Sequence, residues 1–376
     1  MNISKNFLRL LIASLLCSSS LLLAKGVKIG VIMPMSGPIG GFGQSAVEGL
    51  NLMHKLNPKL DNGDDIKLIL IDNKSDKIES ANAASKLISY EKVTAIIGAL
   101  TSTNTMAMTK IAEVAKTPVV APVATNILVT KRKNYVSRVC FSDAFQGEVA
   151  AKFAINELKL KKAVLITDVK LDYSIGISKV FKKVYKKMGG KIIQVAKINS
   201  GDSDFKAMLS NIKALNPEFI FFPIYSAEAG LIAKQAKQLG IKAKFLGTDG
   251  MTADKVFFDA GGDAVEGFYA TDLYSPEVPK TTALSKKFDD AYKAELKKEI
   301  HTFGILTADS YNVIINAMNK CEDPTNKECV NNNIRATKNF EAASGIITLK
   351  NGDAVRSAVV NQIVNGSKKY ITTVNP

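Results

Sequence analysis

Residues 95–126, AIIGALTSTNTMAMTKIAEVAKTPVVAPVATN, decide the fold class of this chain. The apolar runs Ala95–Ile97 and Pro118–Ala121 predict two short, buried strands of a parallel sheet. Apolar residues at helical spacing over Asn104–Lys116 predict a crossover helix that starts beside Ser102. Hydroxyls and backbone N–H groups at a helix N-terminus, beyond the carboxyl edge of a sheet, suit a small anion such as a carboxylate. The segment has no nucleophile–base pair, so it predicts a site that holds a ligand without altering it.

Strand and helix patterns alternate along most of the chain. Strand patterns such as Val27–Met33 and Ala163–Thr167 are each followed by a helical pattern, which is typical of βαβ units with parallel sheets. The number of predicted strands exceeds what one compact sheet usually holds. We therefore predict an α/β fold of two similar lobes with a ligand cleft between them. The chain is expected to cross between the lobes near Phe141–Ala144, Ala270–Leu273 and Leu349–Gly352.

The first 24 residues predict a secretory signal peptide. Two basic residues precede an apolar run, and Ala24 provides a small residue for cleavage. A membrane anchor is disfavoured because serines and Cys17 interrupt the run. Lipidation at Cys17 is also disfavoured, since Leu16 occupies a position where that signal needs a small residue. We expect an exported chain that is soluble after cleavage.

Three cysteines remain after the signal peptide, in an oxidising compartment. Cys321 and Cys329 flank a polar, turn-forming stretch, so a local disulfide is expected between them. Cys140 lies in an apolar run and is expected to be a buried, unreactive residue. No metal is predicted, because His54 and His301 are far from each other and from the cysteine pair.

The formal net charge of +15 raises the possibility of nucleic-acid binding, which the composition disfavours. Only five of the 50 basic residues are arginines, and direct base readout depends heavily on arginine. A solvated, lysine-rich surface is the simpler interpretation, and attraction to anionic surfaces stays open. Five of the lysines follow helical spacing along one predicted face: Lys179, Lys182, Lys183, Lys186 and Lys187.

The chain also resembles a known family over nearly its whole mature length: the periplasmic leucine/isoleucine/valine-binding proteins of ABC transporters. The resemblance implies two Rossmann-like lobes joined by a three-stranded hinge, a type I periplasmic binding protein fold. It places the first lobe at residues 25–143 plus 272–349 and the second at 144–271 plus 350–376. The phrases that carry the resemblance, in order, are IGVIMPMSGPIGGFGQ, IIGALTSTNT, APVATN, TDVKLDYSIG and FLGTDGMTAD.

The resemblance implies how a free amino acid would be held at its two charges. Ser102 and Thr125 match residues that bind the ligand carboxylate through hydroxyl and backbone N–H groups. Asp249 matches an acidic residue that pairs with the ligand ammonium, with help from the Val123 carbonyl. From the residues alone, an ordinary helix cap is the favoured interpretation of Ser102, and Asp249 is equally an ordinary turn residue. Some relatives have glutamate at the position of Asp249.

The resemblance also implies the walls of the pocket. Tyr173 and Tyr225 match aromatic residues of the second lobe that cover the ligand, although core packing is the commoner use of such residues. A helix is predicted over Gln44–Leu56, after the Gly-rich loop PIGGFG. On the first lobe, Phe42 in that loop matches an aromatic wall that Val123 and Ala124 complete. Phe303 is a further candidate for the side-chain pocket.

These features predict a monomeric periplasmic carrier that closes on a branched-chain amino acid and delivers it to an inner-membrane ABC permease. An enzyme is disfavoured, and no catalytic residue or cofactor is predicted. Gly41–Ala46 fits a dinucleotide-binding pattern, but seven residues separate it from Met33 at the end of the preceding strand pattern. Two alternatives stay open: the same fold with an amide, a urea or an aromatic acid as its ligand, or a ligand-loaded adaptor that docks to a receptor.

Overall fold

The computed structural model describes residues 26–376, so the predicted signal peptide at residues 1–24 lies outside the described residues. Its strands are β1 (Val27–Met33), β2 (Ile66–Asp72), β3 (Ala95–Gly98), β4 (Val119–Ala121), β5 (Val136–Arg138), β6 (Lys162–Asp168), β7 (Lys191–Ile198), β8 (Phe219–Phe221), β9 (Lys244–Gly247), β10 (Tyr269–Asp272), β11 (Phe340–Ala342), β12 (Gly345–Ile347), β13 (Leu349–Lys350), β14 (Asp353–Ala354), β15 (Ala358–Val364) and β16 (Ser367–Val374). Its α-helices are α1 (Gly40–Leu56), α2 (Lys77–Ser89), α3 (Ser102–Val114), α4 (Asp143–Lys152), α5 (Asp172–Lys187), α6 (Lys206–Ala214), α7 (Ser226–Gln238), α8 (Val256–Gly261), α9 (Ala283–Leu296), α10 (Thr302–Met318) and α11 (Lys327–Arg335).

Two main sheets define two lobes. The first lobe has five parallel strands in the order β2-β1-β3-β4-β5. The second has seven in the order β16-β15-β10-β9-β8-β6-β7, in which β6 to β10 are parallel and β15 pairs antiparallel with both neighbours. Central strands such as β3 are buried along their whole length, as expected when helices cover both faces of a sheet. The predicted α/β fold with two lobes is confirmed.

The chain passes between the sheets at three places. It leaves the first sheet after β5 and enters α4, which packs on α5 of the second lobe. It returns after β10 and forms α9 and α10, and α10 packs against α1 of the first lobe. The hairpin β13–β14 stays beside β5, where the Arg138 backbone N–H donates to the Gly352 carbonyl at 2.8 Å. The chain then joins the second sheet at β15.

Two helices begin earlier than the sequence indicates. The Gly-rich stretch around Phe42 is not a loop, because α1 starts at Gly40 and places Phe42 in its first turn. Gly43 is required there by close approach, since a Cβ atom at that position would lie 2.2 Å from the Pro34 carbonyl oxygen. Helix α3 begins at Ser102, two residues before the predicted start.

A close helix crossing places aromatic residues at the cleft. A Cβ atom at Gly49 of α1 would lie 2.2 Å from the Gly304 carbonyl oxygen of α10, so only glycine permits this approach. Helix α10 is buried almost throughout, which fixes it against the first lobe. As a result, the Phe42 and Phe303 rings meet edge-to-face with centroids 5.3 Å apart.

The structure confirms the predicted cysteine pairing. Cys321 and Cys329 form a disulfide that links the end of α10 to α11. Cys140 is a free, buried thiol, and burial raises its pKa to about 12, so it is not a nucleophile at neutral pH. Within residues 26–376, no cluster of three or more His, Cys, Asp or Glu side chains could hold a metal ion.

Candidate functional site

The residues predicted to contact a ligand lie on loops and helix starts that follow the carboxyl ends of strands. Ser102 starts α3 after β3, and Val123 follows β4 in the first lobe. In the second lobe, Tyr173 lies in the first turn of α5 after β6, Tyr225 precedes α7 after β8, and Asp249 follows β9. The carboxyl edge of a parallel sheet is where α/β proteins bind ligands. Here two such edges face each other across the cleft.

A small cavity of about 10 Å³ lies between the two edges. Six of the eight predicted ligand-binding residues line it, together with Phe303. Ala124 and Thr125 are fully buried but are not among the lining residues. A wider cleft of about 880 Å³ shares Phe42, Thr101 and Tyr225 with this cavity. The residues lining the small cavity are Phe42, Thr101, Ser102, Val123, Tyr173, Tyr225, Asp249, Gly250 and Phe303.

The first lobe presents uncharged hydrogen-bond donors to the cavity. Thr101 is the N-cap residue of α3, and its side chain does not bond the helix N–H groups, so these stay free for another acceptor. The Ser102 hydroxyl oxygen accepts the Asn126 backbone N–H at 3.1 Å, which leaves the hydroxyl proton available for donation. A helix N-terminus with a free hydroxyl favours an anionic group.

A buried arginine fixes the loop beside these donors. The Arg138 Nη1 atom of β5 donates to the backbone carbonyls of Ala124, Thr125 and Asn126 at 3.0, 2.7 and 2.8 Å. Its Nε atom forms an ion pair with Asp353 of β14 at 2.8 Å. These carbonyls therefore point at the guanidinium and away from the cavity. This role was not predictable from local pattern, because Arg138 lies within a short strand pattern.

The second lobe contributes the one carboxylate among the lining residues, Asp249. Its Oδ1 atom accepts hydrogen bonds from Gln146 Nε2 at 2.7 Å and from the Tyr173 hydroxyl at 2.9 Å. Burial raises the pKa of Asp249 to about 7, although both of these hydrogen bonds act to lower it. A cationic ligand group beside Asp249 would favour the ionised carboxylate and offset the cost of burying it.

Gln146 and Asp143, both on α4, are functional candidates that the sequence reasoning missed. Gln146 also donates to the Thr271 hydroxyl oxygen at 3.0 Å and so ties Asp249 to β10. Asp143 is fully buried, both of its carboxylate oxygens lack a hydrogen-bond donor within normal geometry, and burial raises its pKa to about 8. The nearby Thr125 hydroxyl acts to lower that pKa. The sequence feature that could have identified them is their spacing of three residues, which puts both on one helix face directly after a chain crossing.

Aromatic rings close the cavity. The Tyr173 and Tyr225 rings stack with centroids 5.5 Å apart, and Tyr225 meets Phe42 of the first lobe edge-to-face at 5.4 Å. A Cβ atom at Gly250 would lie 2.8 Å from the Tyr225 ring, so a larger residue would displace the tyrosine. These rings provide apolar walls for an apolar group of the ligand.

Direct hydrogen bonds hold the lobes together at the cleft. Asn126 Nδ2 of the first lobe donates to the Asp172 carbonyl at 2.6 Å, and the Asp172 N–H donates to Thr103 Oγ1 at 3.1 Å. Nearby, His301 Nδ1 accepts the Phe303 backbone N–H at 3.1 Å, while Nε2 lies 2.6 Å from the Ala253 carbonyl of the second lobe. Burial lowers the pKa of His301 to about 3, so the ring is neutral and Nε2–H is the donor. The structure thus represents a closed arrangement.

The sequence profile of a family described as periplasmic binding proteins matches residues 26–368. The chain belongs to this periplasmic binding protein family. The match spans both lobes and every residue that lines the cavity. Within residues 26–376, no helix is both long and apolar enough to cross a membrane.

Relatives of this periplasmic binding protein include several whose ligands are known by name. It is 41% identical to a leucine-binding protein, LivK, of Thermotoga maritima; the match covers 93% of this chain and 99% of that one, with a TM-score of 0.89. It is 30% identical to LivJ of Streptococcus pneumoniae, a branched-chain amino acid transporter substrate-binding protein solved with isoleucine, covering 94% and 100% of the chains with a TM-score of 0.86. A leucine-, isoleucine-, valine-, threonine- and alanine-binding protein of Pseudomonas aeruginosa is 29% identical over 86% of this chain and 85% of that protein.

Proposed function

We propose that this protein captures a free amino acid with a branched, apolar side chain by closing its two lobes around it. One observation carries the proposal: the Asp249 carboxylate and the Ser102 hydroxyl line the same cavity from opposite lobes. A zwitterionic ligand needs an anionic partner for its ammonium group and hydrogen-bond donors for its carboxylate. This cavity offers the Asp249 carboxylate for the first and the Ser102 hydroxyl for the second. The names of the LivK and LivJ relatives support the same ligand class.

In this proposal each lining residue has a defined part. The N–H groups at the start of α3 and the Ser102 hydroxyl hold the ligand carboxylate, while Thr125 lies behind the cavity wall and supports them. Asp249 and the Val123 carbonyl hold the ammonium group. The aromatic residues enclose the apolar side chain, and Ala124 supports the loop from behind. In this closed arrangement the cavity measures about 10 Å³, roughly the room that one water molecule occupies, so the lobes have to part to admit and hold an amino acid.

Closure of the two lobes is the change that a partner protein would recognise. Phe42 and Ser102 belong to the first lobe, while Tyr173, Tyr225 and Asp249 belong to the second, so the site is complete only when the lobes meet. Ligand binding therefore selects the closed population. We propose that an inner-membrane ABC permease recognises that closed shape, and that the protein acts as an exported, periplasmic monomer without enzymatic activity. We assign the first lobe to residues 25–143 plus 272–354 and the second to 144–271 plus 355–376; the last boundary moves from the predicted 349 because the β13–β14 hairpin packs beside β5.

A thermal-shift panel tests the ligand class. Leucine, isoleucine and valine should each raise the melting temperature, because a ligand at 100 times its Kd adds about 2.7 kcal/mol to the stability of the native state. Lysine and glutamate serve as matched zwitterions with charged side chains and should give no shift. Acetamide, urea and benzoate test the alternative ligand classes. A shift with benzoate and none with any amino acid would overturn the proposal.

A further inference from the structure

The positive charge of this protein is concentrated in one segment. Residues 159–197, about a tenth of the chain, contain eleven lysines and two aspartates, with no glutamate or arginine. Their formal net charge is +9, out of +15 for the whole chain. The segment forms β6, α5 and β7 of the second lobe. The excess charge is therefore a local property of one part of the surface.

Five of these lysines form a continuous stripe along α5. We define the lysine stripe as Lys179, Lys182, Lys183, Lys186 and Lys187, which follow i, i+3, i+4, i+7, i+8 spacing and are all exposed. The opposite face of α5 is anchored in the core, where Phe181 stacks on Phe221 with centroids 3.9 Å apart. The stripe is thus presented on a helix whose orientation is fixed by packing.

The charges of the stripe are not neutralised within the protein. Among the described residues, none of the eleven lysines of the segment takes part in an ion pair. One of the two aspartates, Asp168, is buried, where it accepts hydrogen bonds from its own loop and from Ser200. Lys191 and Lys197 extend the exposed charge onto β7, the edge strand of the sheet. Lysines on an edge strand also discourage pairing with a strand of another molecule. This explains Lys191 and Lys197 but not the lysines of α5.

The chemistry of the surface favours a diffuse anionic partner. All three aromatic residues of the segment, Tyr173, Phe181 and Tyr185, are buried, so nucleic-acid bases have no ring on which to stack. The absence of arginine from the segment removes bidentate recognition of a defined phosphate or carboxylate. Lysines act as mobile point charges, which suit a fluid array of anionic headgroups.

We propose that the lysine stripe is a docking surface for an anionic phospholipid bilayer, which retains the carrier at the membrane. This inference rests on the proposed export of the protein, and it concerns a surface separate from the amino-acid site. Along α5, at 1.5 Å per residue, Lys179 lies about 9 Å and Lys187 about 21 Å beyond Tyr173. Lipid contact and ligand capture can therefore take place together.

Vesicle co-sedimentation of the mature protein tests the proposal. Vesicles of equal parts phosphatidylglycerol and phosphatidylcholine should bind the protein at low salt (about 25 mM) and release it at about 300 mM, where charges are screened. Pure phosphatidylcholine vesicles should not bind it. Replacing all five stripe lysines by glutamine should weaken binding at low salt by at least about a hundredfold.

A control variant that loses the same charge elsewhere shows whether vesicle binding depends on the lysine stripe or only on the net charge of the protein. Lys67, Lys86, Lys92, Lys110 and Lys116 are exposed lysines of the first lobe without ion pairs, and their replacement by glutamine removes the same charge. This control should lose less than about fivefold in vesicle binding. An equal loss in both variants, binding to neutral vesicles, or no binding of the wild type to anionic vesicles would each overturn the proposal. Preference for a short duplex DNA over vesicles would overturn it as well.

Calorimetry with leucine on the same samples keeps the two proposals distinguishable. Both lysine variants should bind leucine like the wild type, which also shows that they are folded. A protein that binds anionic vesicles through the stripe but no amino acid would refute the proposed ligand and leave the docking surface standing. Leucine binding without binding to anionic vesicles would refute the docking surface and leave the proposed ligand standing.

Discussion

The two lobes contribute to the cavity in different physical ways. The first lobe offers backbone N–H groups and a hydroxyl, held in place by the start of α3 and by the buried Arg138. The second offers one carboxylate and two tyrosine rings, all of them side chains. Charge recognition is therefore spread over several groups in the first lobe and concentrated on Asp249 in the second. Single substitutions should be far more damaging in the second lobe.

The largest expected effect is that of Asp249→Asn. This change keeps the shape of the side chain but leaves a ligand ammonium without its anion. Breaking a buried charge pair costs about 3–5 kcal/mol, so leucine affinity should fall more than about a hundredfold in calorimetry. Asp259→Asn, at an exposed position of helix α8, is the matched control and should bind normally. Near wild-type affinity of the Asp249 variant would remove the central residue of the proposal.

The pH dependence of binding should also originate in the second lobe. With a pKa of about 7, Asp249 is largely protonated at pH 5 in the ligand-free protein. Leucine affinity should therefore weaken below pH 7, approaching about tenfold per pH unit. Calorimetry between pH 5 and pH 8 measures this profile, and a flat profile would contradict the assignment.

The same raised pKa has a consequence for stability. Between the ordinary pKa of an aspartate and about 7, the folded chain binds more protons than the unfolded chain. The contribution of Asp249 to the stability of the ligand-free protein is present at low pH and is lost as the pH rises through 7. A bound ammonium group relieves that loss, so leucine should raise the melting temperature more at pH 8 than at pH 5.

Ser102→Ala should give an intermediate effect. It removes one hydroxyl donor to the ligand carboxylate, and a hydrogen bond to a charged group contributes about 1.5–3 kcal/mol. The N–H groups of α3 stay in place, so leucine affinity should fall by about ten- to a hundredfold and not vanish. Ser85→Ala, on an exposed face of α2, is the control. A loss as large as that of Asp249→Asn would show that the two lobes do not differ as described.

The smallest effect is expected for His301→Asn, which tests lobe closure apart from ligand contact. Asparagine can still accept the Phe303 N–H as an N-cap residue, but it is too short to retain the bond to Ala253 on the other lobe. Leucine affinity should fall by about three- to tenfold through faster dissociation, measured by stopped-flow fluorescence. His54→Asn, which contacts Tyr311 away from the cleft, should leave dissociation unchanged. Equal rates in both variants would exclude His301 from closure.

Ser102 was predicted from the local order of strand and helix, whereas Tyr173, Tyr225 and Asp249 were predicted from the resemblance to the binding-protein family. All four candidates follow a short apolar strand, and parallel strands bring such positions to one sheet edge. Gln146, Asp143 and Arg138 were missed, because a polar residue inside a helical or strand pattern gives no sign of being buried. Their roles depend on partners far along the chain, such as Asp249 for Gln146 and Asp353 for Arg138.

Local patterns along the chain were enough to predict the α/β alternation, the two lobes, the Cys321–Cys329 disulfide and the polar helix start beside Ser102. Periodicity and turn residues specify these features within a few neighbouring positions. Long-range packing, in contrast, set which predicted residues line the cavity and which, like Ala124 and Thr125, lie behind it. It also decided the protonation of Asp249 and His301, because burial and hydrogen bonding by distant residues set a pKa that no local pattern encodes.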